Sequence, residues 1–223
     1  MPVYYPLFLD LSDRLCVVVG GGNVAAEKVD GLLDAGARVR LIALRLVPAL
    51  AARVAESSLE HRPRGYRRGD LAGALLVLSE RISPRADRAL WAEAQARGIP
   101  INVQDDTAHC SFIAPAIVRR GDLQVAVSTS GQAPVLAVRL RQWLERRLGP
   151  QHARFLALAG DLRARVAARH PDFAHRRRLW YKLVDSDVLP LLERGQATAA
   201  RARAEELLEL APMHRAPARE AAS

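Results

Sequence analysis

The chain has 223 residues, half of them hydrophobic, and carries a formal net charge of +9. This length accommodates one full α/β domain and a smaller module, and no apolar run approaches the ~20 residues of a membrane-spanning helix. The N-terminus lacks a basic segment and reaches Asp10 too early for a typical signal peptide. Two cysteines, Cys16 and Cys110, exclude a disulfide framework or a CxxC metal site within one chain and favour the cytoplasm.

The first predicted element is a strand over Cys16–Val19 that leads directly into a glycine-rich turn and a helix. The strand is short, apolar and β-branched, as in a buried parallel sheet. In the spacing Gly20-x-Gly22-x-x-Ala25, the first glycine permits a tight turn and the second lets the backbone approach a pyrophosphate. Ala25 allows close helix–strand packing, and the helix N-terminus offers free N–H groups to phosphates. The turn predicts a dinucleotide site; the alternative is an ordinary strand-to-helix turn.

A second strand is predicted over Val39–Ala43, and the residues that follow bear on which dinucleotide is bound. An Asp or Glu that binds the ribose is expected about 20 residues after the glycines, but Ala43, Leu44 and Arg45 occupy this region. Arg45 facing a 2′-phosphate would favour NADP, whereas a solvated Arg45 would carry no information. The residues alone leave NAD and NADP open.

The rest of the first half continues to alternate between strands and helices. Helices are predicted over 48–56 and 83–97, and further strands over 59–62, 74–79 and 101–103. Five strands with intervening helices predict a doubly wound parallel sheet, which binds its ligands at the carboxyl ends of the strands. Residues 20–23, 79–81 and 102–106 are therefore expected along one edge.

The second half follows a different pattern. A strand is predicted over Leu123–Val127, and a polar loop at 128–131 precedes a helix over 134–148. The loop supplies hydroxyls and backbone N–H groups, which predict either an anion cradle or a helix-capping loop. From residue 151 onward the pattern is helical and arginine-rich, and residues 211–223 are expected to form a frayed tail.

Two adjacent acids, Asp105 and Asp106, follow the fifth strand at the predicted ligand edge and are candidates for acid–base chemistry. Neighbouring side chains point in different directions, which favours one base beside a capping or solvated acid over a paired dyad. His109 and Cys110 lie close behind them. A single His–Cys pair lacks the further ligands of a fixed transition-metal site, so no metal site is predicted.

Arginine supplies 31 of the 33 basic residues. Coding bias explains such an excess, but arginine is also the side chain that binds carboxylates and phosphates through paired hydrogen bonds. The charge therefore fits a small polyanion, and it also fits nucleic acid. A nucleotide-sensing regulator that binds nucleic acid through residues 163–178 is the alternative function, although no helix-turn-helix or other reading module is visible.

Taken in order, the motifs resemble those of the siroheme synthase family. The resembling segments are Tyr5-Pro6-Leu7-Phe8-Leu9-Asp10-Leu11, Gly20-Gly21-Gly22-Asn23-Val24-Ala25 with Lys28, Leu32-Leu33-x-x-Gly36-Ala37, Asn102-Val103-x-Asp105-Asp106, Cys110-x-Phe112-x-x-Pro115-Ala116, Val125-Ala126-Val127-Ser128-Thr129-Ser130-Gly131 and Pro134-Val135-Leu136-Ala137. Two arginine-rich segments are similar to the family's C-terminal helical module: Gly160-x-Leu162-Arg163-x-Arg165-Val166 and Arg176-Arg177-Arg178-x-Trp180. The resemblance covers nearly the whole chain.

The resemblance implies a precorrin-2 dehydrogenase, which oxidises precorrin-2 to sirohydrochlorin with NAD. In some relatives the same pocket also inserts ferrous iron, as a substrate, to give siroheme. The implied organisation is a Rossmann-like domain over 1–113, a small α+β dimerisation module over 114–150 and a helical module over 151–210. The implied partners are a polycarboxylate tetrapyrrole and a second copy of the chain, with no nucleic acid and no membrane. Fused relatives continue into a methyltransferase, so methylation is not expected here.

The same resemblance implies roles for individual residues. Asp105 is the catalytic acid/base, which manages a proton while the nicotinamide takes the hydride. The cofactor-binding residues are Gly20, Gly21, Gly22, Asn23, Val24, Ala43 and Ser79. The substrate-binding residues are Ser128, Thr129, Ser130 and Gly131, with arginines 176–178 available to the carboxylates.

Two segments depart from the family pattern. Ser79-Glu80-Arg81-Ile82 replaces the more usual Ala-Thr-Asp-Asp run along the adenosine side, and Ala43-Leu44-Arg45 replaces an Ala-Pro-Glu type of turn. Both departures concern cofactor affinity or preference rather than the fold.

Overall fold

The computed structural model describes residues 4–56 and 59–210 and divides into two compact units, residues 1–114 and 115–223. The predicted tail at 211–223 lies outside the described residues. Within the described ranges, no helix is both long and apolar enough to cross a membrane.

The first unit is a five-stranded parallel sheet with helices on both faces. Its elements are β1 (Leu15–Val19), α1 (Asn23–Asp34), β2 (Arg38–Ile42), α2 (Pro48–Ala55), β3 (Glu60–Arg62), β4 (Leu76–Ser79), α3 (Pro84–Arg97), β5 (Ile101–Val103) and a 3₁₀ turn at Thr107–His109. The strand order is β3-β2-β1-β4-β5. The chain thus winds outward from β1 in both directions, which confirms the doubly wound sheet and places the switch point between β1 and β4.

The alternation of side chains along β1 builds the two core layers of this unit. Cys16 and Val18 pack with α1 and α2 on one face, whereas Val17 and Val19 pack with α3 on the other. The predicted start of α3 is also confirmed, because the Ser83 hydroxyl accepts a hydrogen bond from the Ala86 N–H at 3.2 Å.

The second unit combines a β-hairpin with five helices in its described part. Its elements are β6 (Ala116–Arg120), β7 (Leu123–Val127), α4 (Pro134–Arg147), α5 (Pro150–Arg169), α6 (Phe173–Val184), α7 (Val188–Glu193) and α8 (Ala197–Leu207). The hairpin is antiparallel and packs against α4 and α5. The helices bury their own core, which includes Leu162 and Leu183. The strand at 123–127 and the helical C-terminal part were predicted, but β6 was not. A separate boundary at residue 150 stays a prediction.

Candidate active site

The glycine turn lies at the carboxyl end of β1, and its conformation depends on the absence of side chains. Gly20 has a φ of +128°, a region that L side chains rarely adopt. A Cβ atom on Gly21 would collide with the backbone oxygen of Arg45. The Val47 N–H also donates to the Gly21 carbonyl at 2.8 Å. The turn therefore packs directly on the backbone that follows β2.

The N-terminus of α1 already holds an anionic group from elsewhere in the chain. The Glu80 carboxylate accepts hydrogen bonds from the Gly22 N–H at 3.0 Å and from the Ala25 N–H at 2.9 Å. Glu80 directly follows β4, the strand beside β1. Sequence analysis noted Glu80 only as a departure from the family pattern and missed this contact. The clue was an acid at the switch point, one residue beyond a strand paired with β1.

The predicted cofactor-binding residues of this unit gather at the carboxyl ends of β1, β2 and β4. Asn23 and Val24 form the first turn of α1, and the buried Ala43 follows β2. Ser79 is also buried, and its hydroxyl donates to the Glu80 carbonyl at 2.7 Å. Arg45 is exposed. Direct contacts of these residues with a cofactor stay a prediction.

Asp105 lies in the loop after β5, at the same edge of the sheet. Its side chain is exposed, and its backbone is left-handed with a φ of +54°. The neighbouring Gln104 N–H donates to the Ser79 carbonyl at 2.9 Å, which ties this loop to the end of β4. Aspartate tolerates the left-handed region better than most residues, and strained conformations cluster at functional sites.

The residues behind Asp105 hold its loop in place. Asp106 Oδ2 lies 2.8 Å from His109 Nδ1, and the Cys110 sulfur lies 3.2 Å from the Val103 N–H nitrogen, the Val103 carbonyl oxygen and the Asp106 carbonyl oxygen. Burial raises the pKa of the Cys110 thiol. A thiol with a raised pKa is a poor nucleophile and metal ligand. These contacts give Asp106, His109 and Cys110 a positioning role in the loop that exposes Asp105.

One group of side chains in the described part of the chain has the composition of a metal site. His170, His175 and Glu209 bring ligand atoms within 4.8 Å of one another. Arg178 Nη2 lies 3.3 Å from His175 Nδ1, and His175 Nε2 lies 3.6 Å from a Glu209 oxygen. At 3.6 Å the contact between His175 and Glu209 is too long for a hydrogen bond, so the two side chains form an ion pair only when the ring is protonated.

The residues predicted to bind substrate lie in the second unit, in the loop before α4. The Ser128 hydroxyl accepts from the Ser130 N–H at 3.0 Å, and the Thr129 hydroxyl accepts from the Ala133 N–H at 3.3 Å. Ser130 and Gly131 both have positive φ values, of 53° and 79°. The loop therefore caps its own backbone, and both hydroxyl protons are left to donate.

A groove of about 860 Å³ runs along α5 and α6 of the second unit. Its lining combines arginine and aromatic side chains: Arg163, Phe173, Arg176, Arg177, Trp180 and Tyr181. Arg176 already donates to the carbonyls of His170 and Pro171.

Three family models match consecutive parts of the chain. A model described as "Putative NAD(P)-binding" matches residues 7–116, which span the glycine turn and Asp105. "Sirohaem biosynthesis protein central" matches residues 120–147. "Sirohaem synthase dimerisation region" matches residues 151–208, which cover α5 to α8. The dimerisation description thus matches the C-terminal helices and not residues 114–150. The dimerisation module predicted at 114–150 stays a prediction.

Curated relatives match across almost the whole chain. The siroheme synthase of Thioalkalivibrio sulfidiphilus is 40% identical over 206 residues, which make up 92% of this chain and 42% of the relative. That of Chromobacterium violaceum is 37% identical over 96% of this chain and 46% of its own. The siroheme synthase of Azotobacter vinelandii is 39% identical over 92% of this chain and 44% of the relative. The chain thus spans less than half the length of these relatives.

A solved structure shares the fold. The protein titled "SirC, precorrin-2 dehydrogenase" superposes with a TM-score of 0.73 and 19% sequence identity, covering 91% of this chain and all of that one. At this identity the match shows the fold alone.

Proposed function

We propose that this chain, as a member of the siroheme synthase family, oxidises precorrin-2 to sirohydrochlorin with NAD as hydride acceptor. The observation that carries the proposal is the glycine turn at the switch point of a doubly wound sheet, within the segment that matches an NAD(P)-binding model. The alternative of a nucleic-acid-binding regulator finds no support among these relatives.

The backbone of the turn fits a dinucleotide. Gly20 and Gly22 carry no side chain where a pyrophosphate would approach, and the Gly22 and Ala25 N–H groups point to one shared acceptor. When bound, the nicotinamide supplies a hydride acceptor. The turn binds the cofactor and orients it against the substrate. Arg45 is exposed, and we propose NAD rather than NADP from the family resemblance.

Asp105 is our proposed acid/base. Conversion of precorrin-2 to sirohydrochlorin removes two hydrogens, one leaving as hydride and the other as a proton. An exposed carboxylate at the ligand edge of the sheet can accept that proton, and the Asp106–His109 contact fixes the loop from which it does so. The loop at 128–131 and the arginines at 176–178 would bind the substrate carboxylates.

A second activity, insertion of ferrous iron into sirohydrochlorin, is favoured by the names of the curated relatives, which are siroheme synthases. Iron is a substrate in this reaction. The carboxylate that accepts a proton during oxidation can also accept the pyrrole N–H protons that iron replaces.

We also propose that the chain is a homodimer in the cytoplasm. The segment that matches a dimerisation model lies within it, and α4 exposes a row of apolar side chains. Both cysteines are free, as expected in a reducing compartment.

One anaerobic absorbance experiment tests both activities. Precorrin-2 is mixed with the protein and NAD, and the formation of NADH and of sirohydrochlorin is followed; NADP is tested in parallel. Ferrous iron is added afterwards, and the siroheme spectrum is compared with that of a reaction without protein. Folded protein that oxidises precorrin-2 with neither dinucleotide would contradict the dehydrogenase, and iron insertion no faster than the protein-free rate would contradict the chelatase.

A further inference from the structure

We infer that the Glu80 side chain is an internal competitor for the pyrophosphate of the dinucleotide and must leave the N-terminus of α1 before the cofactor binds. The inference rests on the proposed dinucleotide site. Its starting observation is that one carboxylate bridges the Gly22 and Ala25 N–H groups at 3.0 and 2.9 Å. These are the donors that a glycine-rich turn offers to a pyrophosphate.

The carboxylate also fills the space that the glycines leave open. A Cβ atom on Gly20 would lie 2.5 Å from Glu80 Oε2, and a Cβ atom on Gly22 would lie 2.6 Å from Oε1. Both distances are far below van der Waals contact, so the Glu80 oxygens occupy the niche made by the missing side chains. A phosphate and this carboxylate cannot share the niche, since both are anions that need the same donors.

The backbone of Glu80 is fixed, so only its side chain can move away. Val19 and Ser79 are register partners in adjacent parallel strands, and the Glu80 N–H donates to the Val19 carbonyl at 2.9 Å. Displacement therefore requires a rotamer change and the loss of two charge-assisted hydrogen bonds, with no change in the sheet. This loss lowers the apparent affinity for the cofactor.

The test is calorimetric titration of NAD into the full chain, with thermal unfolding of the cofactor-free protein as a second readout. Glu80→Ala removes the competitor, and Glu80→Gln keeps the shape without the charge. Wild type must break two hydrogen bonds to the charged Glu80 carboxylate before NAD binds, and Glu80→Ala does not. We therefore expect Glu80→Ala to bind NAD roughly tenfold tighter than wild type, and Glu80→Gln to have an intermediate affinity. Both variants should unfold at a lower temperature without cofactor, because the N-terminus of α1 loses its anion.

Glu27→Gln is the matched control. Glu27 is an exposed acid on the same helix, and its substitution removes one negative charge without changing the Gly22 and Ala25 donors. It should match wild type in both readouts. Equal or weaker NAD binding by both Glu80 variants, with wild type binding NAD, overturns the competition and leaves the proposed function intact. Failure of every chain to bind either NAD or NADP would instead overturn the proposed dinucleotide site and this inference with it.

Discussion

At the end of β5, two adjacent aspartates differ in exposure, backbone conformation and partners. Asp105 is exposed with a left-handed backbone, whereas Asp106 is half-buried against His109. We expect Asp105→Asn to keep NAD and tetrapyrrole binding and to lower turnover by roughly 10²–10⁴, the usual contribution of a general acid or base. Steady-state kinetics combined with NAD titration measures the two effects separately.

Asp106→Asn is the neighbouring control for that prediction. An asparagine oxygen still accepts a hydrogen bond from His109, so the loop keeps its shape and turnover should fall much less. Equal losses in both variants, or unchanged turnover in Asp105→Asn, would contradict the assignment of the acid/base.

Gly22 carries the second prediction at this scale. In Gly22→Asp, a carboxylate would enter the space where the backbone meets the pyrophosphate, and it would also contact Glu80, whose Oε1 lies 2.6 Å from the Cβ position. We expect NAD binding to be lost in calorimetry while the protein remains folded by circular dichroism. Wild-type affinity in this variant would show that the pyrophosphate does not bind at the turn.

The residues of the site were predictable to different degrees. The positions of Gly20 and Asp105 at the ligand edge of the sheet could be predicted, because turn spacing and a place directly after a strand are properties of the chain itself. For Glu80 the sequence offered only an acid near the switch point, and the contact itself depends on which strand pairs with β1 and on one side-chain rotamer. The same limit applies to Cys110, whose role comes from backbone atoms of Val103 and Asp106 that fold back onto it.

Among the elements of the first unit, the turn between β3 and β4 is held by a buried carboxylate. Asp70 is 3% exposed and accepts hydrogen bonds from the guanidinium groups of Arg62 and Arg64 and from the Arg67 N–H. These partners, Arg64 above all, hold the pKa of Asp70 well below its usual range. Removing one partner of a buried ion pair costs about 3–5 kcal/mol, and we expect Asp70→Asn to fall near the lower end because the arginines are partly exposed.

The pH dependence of that loss follows from the lowered pKa. The folded-state pKa of Asp70 lies below the unfolded value of about 3.9, so its stabilisation is complete above that value and is lost as the pH falls towards the folded-state pKa. Urea unfolding should show the full difference between wild type and Asp70→Asn at neutral pH and a shrinking one below about pH 4. Asp30→Asn, which breaks an exposed pair with Arg53, should cost under ~1 kcal/mol. A difference that does not change with pH would contradict the ionic role of Asp70.

The secondary-structure elements that were predicted correctly are those specified by a local sequence pattern. The buried run of β1 and the Ser83 cap of α3 are each specified within a few residues. Strand β6 was missed because Ala116–Arg120 ends in two arginines and has no clear alternation. It forms only through pairing with β7 across the Gly121 turn, where φ is +57°. Such pairing is a property of two segments and cannot be found in one.

At the scale of the whole molecule, the net charge of +9 is less informative about binding partners than the positions of the charged residues. In the second unit, Arg165 pairs with Glu205, and Arg201 pairs with Asp161. Arg163, Arg176 and Arg177 line the groove along α5 and α6 instead, so only part of the basic charge is paired within the chain. Composition could not separate a regulator from an enzyme because pairing depends on the packing of α5 against distant helices.

The last prediction concerns which surface joins two chains. Helix α4 buries only Ala137 fully and exposes Val135, Leu136, Leu140 and Trp143 by 41–73%, more apolar surface than a single helix leaves to solvent without a partner. We expect light scattering to give about twice the 24.4 kDa of one chain at micromolar concentration. Trp143→Asp should shift the protein towards the monomer, because it replaces a large apolar ring with a charged side chain that loses its hydration when two chains pair.

Tyr181→Asp is the comparison variant, since Tyr181 is 65% exposed on α6, within the segment that matches the dimerisation model. Both variants replace an exposed aromatic residue with an acid, so general effects of that change should be similar. Dissociation by Trp143→Asp alone would assign the pairing surface to α4. Dissociation by Tyr181→Asp alone would assign it to the helices and contradict the dimerisation module at 114–150. A wild-type chain that is a stable, active monomer at micromolar concentration would contradict the dimer itself.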